Sequence, residues 1–165
     1  MNNEKPEYGI VFSGGGARGL AHIGVLAALE KHGIIPGIVA GSSMGAVIGA
    51  LYAAGKSPEE MLAIAKDKKL YSLFNWSMPK YGGMLSLKML RQVLENNIPD
   101  DSFKALKRKL FISVSNISAG KHEIISTGPL YQVIIASSSI PIVFEPQVIN
   151  GHTYVDGGLF NDLPV

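Results

Sequence analysis

Two short segments of the chain have the residue types and spacing for chemistry on an ester. The first, Gly41–Gly45, reads G-S-S-M-G and places Ser43 at the centre of a G-x-S-x-G pattern. A serine at a tight corner between a strand and a helix needs small residues on both sides, and its hydroxyl then projects at the helix N-terminus. The pattern therefore makes Ser43 a candidate nucleophile. Its neighbour Ser42 is expected to be a turn or capping hydroxyl.

The second segment is a glycine loop that allows two interpretations. Gly14, Gly16 and Gly19 spell G-x-G-x-x-G after an apolar stretch, the pattern that binds a dinucleotide pyrophosphate. The same backbone N–H groups would suit the oxyanion that forms during acyl transfer. A dinucleotide site needs a carboxylate about 20 residues further on, at the end of the second strand. Residues Val39–Ser43 occupy that place and include no carboxylate, which favours the oxyanion interpretation and leaves a nucleotide-binding module as the alternative.

The base that would activate the serine is less evident. His22 and His32 fall on a predicted helix, His122 lies beside a hairpin turn where we expect it to be solvated, and His152 follows a second turn. Asp156 is the better candidate, because it ends an apolar strand and precedes two glycines that allow close approach. A partly desolvated pocket would raise its pKa and make it a stronger base. An Asp-Gly pair is also ordinary turn chemistry, so both interpretations stand.

Composition describes a well-buried chain with unevenly distributed charge. The 165 residues are 47% hydrophobic and 17% charged, and they include no cysteine, so no disulfide or thiolate site is available. Lys56–Lys109 holds eleven Lys/Arg and six Asp/Glu, whereas the rest of the chain holds four and seven. This segment suits peripheral contact with an anionic membrane surface and equally an ordinary solvated face. It matches no nucleic-acid-binding motif, so no nucleic-acid partner is expected.

Alternating strands and helices must position these residues. Apolar runs predict strands at Tyr8–Phe12 and Ile38–Ala40 and helices at Leu20–Lys31 and Met44–Ala54, the order typical of a parallel α/β sheet. Both candidate loops then emerge at the carboxyl ends of neighbouring strands, side by side. The remaining pattern predicts helices from Ser57 towards Lys69, at Ser86–Asn96 and at Leu130–Ser138, and hairpins at Ala119-Gly120 and Asn150-Gly151.

Two segments bear on the membrane. Ile34–Gly55 is uncharged, but Pro36 and five glycines make it a strand, a turn and a buried helix rather than a membrane span. The aromatic-rich residues 71–84 suit an acyl-chain channel or lid, and equally a core under a long loop. The first ten residues lack the basic region and the apolar region that a secretory signal contains. We therefore expect a cytoplasmic protein, with any membrane contact peripheral.

Taken together, the motifs resemble the patatin-like phospholipase family, lipid acyl hydrolases with a Ser–Asp dyad. Four segments carry the resemblance in the family's order: SGGGARGL (Ser13–Leu20), GSSMG (Gly41–Gly45), ASSSIPIVFEP (Ala136–Pro146) and DGGLFNDLP (Asp156–Pro164). The similarity covers essentially the whole of residues 1–165, as one domain. Family domains usually continue past the D-G-G block, so the resemblance implies that a C-terminal part is missing.

The resemblance implies an α/β three-layer sandwich with a mainly parallel central sheet. It makes Ser43 the nucleophile and Asp156 the base, with the backbone amides of Gly14, Gly15 and Gly16 as the oxyanion hole and no histidine, metal or other cofactor. The substrate would be a glycerophospholipid or lysophospholipid. A non-catalytic lipid-binding regulatory protein is a further alternative. The planar guanidinium of Arg18, inside the glycine loop, suits a lipid phosphate or the loop itself, and a plain surface arginine fits as well.

Overall fold

The protein, described by a computed structural model over residues 8–66 and 83–165, has an α/β fold around one mixed sheet. β1, β2 and β3 are parallel, whereas β4 and β6 run antiparallel to β3, and β5 runs antiparallel to β6. The predicted α/β class is confirmed. The strands are β1 (Gly9–Phe12), β2 (Ile38–Ser42), β3 (Lys109–Asn116), β4 (Lys121–Ile125), β5 (Gln147–Ile149) and β6 (His152–Asp156).

Five helices of the described ranges cover the sheet and each other: α1 (Ala21–Lys31), α2 (Met44–Ala53), α3 (Pro58–Lys66), α4 (Gly83–Asn97) and α5 (Leu130–Ser137). α2 packs on β1, β2 and β3, and α5 packs on β3, β5 and β6. α1 and α3 contact each other and α2, while α4 contacts α5. Every residue of α2 is buried, which explains why this stretch carries no charge. No helix within 8–66 and 83–165 is long and apolar enough to span a membrane.

The strand order brings the ends of β2 and β6 together. Ser42, at the end of β2, pairs with Ser113 of β3, and Asp156, at the end of β6, pairs with Val114. β4 pairs with residues 112–116 of β3. β2 pairs with residues 109–113 of β3, and β6 pairs with residues 114–116. Each of these two strands shares paired β3 residues with β4, and one edge of a strand pairs with one neighbour at each residue, so β4 must lie on the opposite edge of β3. β2 and β6 therefore share one edge of β3 and meet end to end there.

Local signals in the sequence account for most element boundaries. The capping box is present, because Ser57 Oγ accepts a hydrogen bond from the Glu60 N–H and Glu60 Oε2 accepts one from the Ser57 N–H. Asn150 and Gly151 have φ values of 51° and 79°, as a tight hairpin turn requires. β2 continues two residues past its predicted end, and a short 3₁₀ helix, Gly16–Leu20, precedes α1. The side chains of residues 71–84, and the predicted end at Lys69, lie outside the described part of the chain.

Candidate active site

Ser43 sits at the corner between β2 and α2 in a strained backbone conformation. Its φ and ψ are 51° and −122°, a sparsely populated region that costs about 1–3 kcal/mol for a residue other than glycine. A Cβ on Gly41 would overlap the Gly45 carbonyl oxygen, and a Cβ on Gly45 would overlap that of Phe12 in β1. The two glycines therefore let the corner close on itself and on β1, as the G-x-S-x-G pattern predicts.

The Ser43 hydroxyl is bonded to a buried carboxylate. Ser43 Oγ donates a hydrogen bond to Asp156 Oδ2 at 2.7 Å, and the two residues are only 9% and 6% exposed. The other carboxylate oxygen, Asp156 Oδ1, accepts the Gly158 N–H at 2.8 Å, so both oxygens are held. This is the arrangement that nucleophilic catalysis requires of a serine and its base.

The environment of Asp156 makes its carboxylate more basic than an ordinary aspartate. Burial raises its pKa most strongly, the hydrogen bonds from Ser43 and Gly158 lower it, and the charge of Asp162 raises it further. The net shift is upward, in the direction expected from the sequence. A base with a higher pKa takes a proton from a serine hydroxyl more readily.

Serines of β3 hold the turn that follows Asp156. A Cβ on Gly157 would overlap the Ser113 carbonyl oxygen, so this glycine allows the turn to lie directly on β3. Ser115 Oγ donates to the Gly157 carbonyl at 3.3 Å and accepts the Phe160 N–H, and Ser113 Oγ donates to the Asn161 carbonyl. The sequence motifs do not include these serines of β3. Their alternation with apolar residues along β3 is the signal that identifies them.

Serines at the end of α5 hold both members of the Ser43–Asp156 pair. Ser137 Oγ accepts the Ser43 N–H at 2.9 Å and donates to the Ser113 carbonyl at 2.7 Å. The Ser139 carbonyl accepts the Asp156 N–H at 2.9 Å. The block ASSSIPIVFEP, noted in the sequence only as a motif, thus places the elbow and the carboxylate against each other.

The glycine loop lies next to Ser43, as expected. A Cβ on Gly14 would be 3.2 Å from the Ser43 Cβ. The Gly14 N–H donates to Asp162 Oδ1 at 3.0 Å, whereas the Gly15 N–H has no partner within the described ranges. Gly15 and Gly16 have φ values of 134° and 55°, which favour glycine and turn the loop. Gly15 and Gly16 are exposed.

Two expectations for individual side chains are wrong. Ser42 neither caps a helix nor forms a turn, because it is the last residue of β2; its hydroxyl is buried and has no hydrogen-bond partner in the described part of the chain. His122 is half-buried rather than solvated, and its Nε2 lies 3.0 Å from Ser113 Oγ. The reason is the pairing of β4 with β3, which lays His122 alongside the serines of that strand.

The other three histidines, and Arg18 of the glycine loop, do not contact the Ser43–Asp156 pair. His22 Nε2 lies 3.0 Å from the Ser13 carbonyl oxygen and so secures the base of the glycine loop. His32 Nδ1 lies 2.8 Å from the Ala28 carbonyl oxygen, and His152 is exposed. Arg18 is exposed on the 3₁₀ helix of the glycine loop. The pair therefore stands without a histidine.

An apolar pocket adjoins the elbow. It begins at Met44, the residue after Ser43, and at Leu20, which ends the 3₁₀ helix of the glycine loop. Side chains of α2, α3 and α4 complete its wall: Val47, Ile48, Leu51, Met61, Ile64, Ala65 and Val93. The lining is apolar, but the cavity is only about 10 Å³, so these side chains would have to move apart to admit a hydrocarbon chain attached to a group at Ser43.

Comparison with known proteins finds relatives named as NTE family proteins, as an esterase and as a lysophospholipase. An uncharacterized NTE family protein of Mycobacterium tuberculosis is 32% identical over 99% of this chain and 46% of its own length. The neuropathy target esterase sws of Drosophila virilis is 32% identical over 94% of this chain and 11% of its own length. Lysophospholipase NTE1 of Mycosarcoma maydis is 30% identical over 95% and 9%. The chain thus spans less than half the length of these relatives.

Solved structures share the fold. VipD from Legionella pneumophila superposes with a TM-score of 0.72 at 18% identity, over 97% of this chain and 47% of that one. ExoU of Pseudomonas aeruginosa, solved in complex with SpcU, gives a TM-score of 0.58 at 21% identity, over 84% and 39%. A family model described as patatin-like phospholipase matches residues 10–165. The chain therefore belongs to the patatin-like phospholipase family.

Proposed function

We propose that this protein is a serine-dependent lipid acyl hydrolase that cleaves an acyl ester of a glycerophospholipid or lysophospholipid. The observation that carries the proposal is the 2.7 Å hydrogen bond from Ser43 Oγ to Asp156 Oδ2 at a strained corner beside the glycine loop. Membership of the family supports ester hydrolysis. The names of two relatives, an esterase and a lysophospholipase, support the class of substrate.

In the first half of the reaction the acyl group moves to the enzyme. Asp156 takes the proton of the Ser43 hydroxyl while Oγ attacks the ester carbonyl carbon, and the carbonyl oxygen becomes an oxyanion. The carbon–oxygen bond to the glycerol moiety then breaks, and the leaving alkoxide takes the proton from Asp156. The products are an acyl ester on Ser43 and a deacylated lipid.

In the second half water releases the acyl group. Asp156 takes a proton from a water molecule as the water oxygen attacks the acyl carbon, and Ser43 Oγ leaves with that proton. A fatty acid and the free serine result. One buried carboxylate serves as base and acid in turn, which suits a side chain whose pKa burial has raised.

The surroundings of the pair provide for the rest of the substrate. We assign the oxyanion to the Gly15 and Gly16 amides of the glycine loop, where the Gly15 N–H is unpaired within the described ranges, with help from the positive end of α2. The Gly14 N–H, which the sequence led us to expect beside them, is already bonded to Asp162. We assign the acyl chain to the apolar pocket at Met44, whose lining side chains move apart to admit it. The exposed guanidinium of Arg18 contacts the lipid phosphate. Exposed Leu159 and Phe160, just after Asp156, meet a membrane surface.

Release of fatty acid from phosphatidylcholine vesicles that contain lysophosphatidylcholine tests the proposal. We expect wild-type protein to release fatty acid and Ser43→Ala to lose at least about 10³-fold of that rate. The matched control is Ser42→Ala, whose buried hydroxyl bonds to none of the described residues and which keeps its activity. Vesicle binding without fatty acid release favours a lipid-binding protein, and saturable heat on titration with NAD or ATP favours a nucleotide-binding module. Either outcome contradicts the proposal.

A further inference from the structure

Asp162 links two parts of the site that are far apart in sequence. Its Oδ1 accepts the Gly14 N–H at 3.0 Å, so the segment after Asp156 is bonded to the glycine loop. We propose that Asp162 is a positioning residue, whose carboxylate clamps the glycine loop through Gly14 and sets a second negative charge beside Asp156. This inference rests on the proposed function, because it assigns Asp162 a part in the same reaction.

The backbone around Asp162 is fixed, as a clamp requires. The preceding residue, Asn161, donates its N–H to the Gly157 carbonyl at 2.9 Å, and its own carbonyl accepts Ser113 Oγ at 2.9 Å. Pro164, two residues further on, is buried. The carboxylate is therefore presented to the loop from a segment held on β3.

The hydrogen bond between Gly14 and Asp162 gives the loop glycines different roles. A substrate oxyanion on the Gly14 N–H would lie against the negative charge of the exposed Asp162 carboxylate, and two like charges in contact repel each other even at an exposed site. The Gly15 N–H has no competing acceptor in the described residues. Gly14 thus anchors the loop, while Gly15 and Gly16 are left to bind the oxyanion.

The two carboxylates also face each other across Gly158. A Cβ on Gly158 would lie 3.0 Å from Asp162 Oδ1 and 3.1 Å from Asp156 Oδ1. The charge of Asp162 raises the pKa of Asp156, in addition to the effect of burial. Asp162 therefore strengthens the base as well as holding the loop.

Other titratable groups on the neighbouring elements are bonded elsewhere. His22 is bonded to the Ser13 carbonyl and His122 to Ser113, while Glu123 accepts hydrogen bonds from Asn116 and Tyr154. Arg18, on the glycine loop itself, is exposed. Asp162 is the charged side chain of the described residues that shifts the pKa of Asp156.

Amide hydrogen exchange measures the clamp without reference to activity. In wild-type protein the Gly14 N–H is expected to exchange at least about tenfold more slowly than in Asp162→Ala, since a hydrogen bond to a charged group contributes about 1.5–3 kcal/mol. Asp162→Asn keeps an acceptor oxygen and is expected to give intermediate protection. Asp100→Asn, an exposed carboxylate in the turn after α4, is the matched control and leaves the exchange rate unchanged. Equal rates in all four proteins overturn the clamp.

The pH profile of fatty acid release tests the effect on Asp156. Asp156 must be deprotonated to act as base, so activity rises with pH through its pKa. Removing the charge of Asp162 lowers that pKa, and the acid limb of kcat/KM in Asp162→Asn shifts to lower pH. Asp162→Ala also loosens the loop, and we expect kcat/KM to fall about 10²-fold. The proposal is contradicted if the acid limb of kcat/KM in Asp162→Asn stays at its wild-type pH, or if Asp162→Ala has a higher kcat/KM than wild type.

A double-mutant cycle with Gly14→Ala identifies the partner. The added methyl group would overlap Asp162 Oδ1 and would lie 3.2 Å from the Ser43 Cβ, so Gly14→Ala breaks the clamp and also crowds the serine. The loss caused by Asp162→Ala should therefore be smaller in the Gly14→Ala protein than in wild type. Additive losses place the effect of Asp162 elsewhere and overturn the assignment. If wild-type protein hydrolyses no lipid, the proposed function fails. The exchange rate of the Gly14 amide still shows whether Asp162 holds the glycine loop.

Discussion

Two residues of this protein lower its stability, one through its backbone conformation and one through a buried charge, and both take part in the proposed chemistry. Ser43 has a positive φ at a corner where ordinary residues are strained. Asp156 keeps a carboxylate that is only 6% exposed, which disfavours its charged form. Strain presents the hydroxyl, and burial makes the carboxylate a better base. Function and stability are therefore opposed at these positions.

Asp156→Asn is expected to stabilise the fold near neutral pH while it removes activity. The pKa of Asp156 is raised on folding, so the native state binds its proton more tightly than the unfolded chain and the charged form costs stability at higher pH. The variant has no such cost. Its melting temperature should exceed that of wild type near neutral pH, and the difference should shrink as pH falls towards 3.8, the ordinary value. A constant difference at all pH values contradicts the burial argument.

Ile142→Gly is expected to stabilise the fold by about 0.5–1 kcal/mol. Ile142 is fully exposed and has a φ of 73°, a left-handed conformation that costs a side-chain-bearing residue about 1–2 kcal/mol. Val148→Gly is the control, since Val148 is 60% exposed in β5 and its loss should destabilise by about 0.5–1 kcal/mol. Urea unfolding measures both. Equal destabilisation of the two variants would show that Ile142 is not strained.

At the scale of the elements, the site depends on where strands end. β2 and β6 lie along one edge of β3 and finish at its neighbouring residues Ser113 and Val114. α2 begins at that point, and the end of α5 is bonded to both Ser43 and Asp156 through Ser137 and Ser139. The pair is thus set by strand register rather than by loop conformation, which favours precise and rigid geometry.

Gly45→Ala tests how tightly the elbow is packed on β1. The new methyl group would overlap the backbone carbonyls of Phe12 and Ser13, which belong to the sheet and the glycine loop and cannot move aside cheaply. We expect destabilisation of about 3 kcal/mol or more. Gly24→Ala in α1, where an added Cβ meets nothing within 4 Å, should instead stabilise by up to about 1 kcal/mol. Similar unfolding midpoints for the two variants would contradict this packing.

Ala65→Leu tests the apolar pocket as the acyl-chain site. Ala65 lines the pocket from α3, so a larger side chain shortens the space available and should lower kcat/KM for long-chain esters relative to short-chain ones. Ala63→Leu, on the exposed side of the same helix, is the control and should leave that ratio unchanged. A pair of p-nitrophenyl esters of different chain length measures it. An unchanged ratio in Ala65→Leu places the acyl chain elsewhere.

At the scale of the whole molecule, local sequence patterns predict individual strands, helices and turns better than they predict the tertiary contacts between them. The G-x-S-x-G corner, the capping box at Ser57 and the hairpin at Asn150-Gly151 are encoded in consecutive residues, and all three form. The serines that hold the site come from β3 and α5, and their role depends on long-range register. The misjudged solvation of His122 has the same origin, because pairing of β4 with β3 decides it.

The bond between Asp162 and Gly14 is a second example of what sequence alone conceals. The two residues are 148 positions apart, and the motif DGGLFNDLP shows an acidic residue without indicating its partner. The four motifs and their order were sufficient to identify the family, which the match over residues 10–165 confirms.

Labelling by a fluorophosphonate, located by peptide mass spectrometry, tests the central claim most directly. The reagent forms a covalent bond only with an activated serine oxygen held beside an oxyanion site. The account predicts one adduct on the peptide that contains Ser43, lost in Ser43→Ala and formed far more slowly in Asp156→Asn. An adduct on another serine, or labelling of Ser43 at an unchanged rate when Asp156 is replaced, would contradict it.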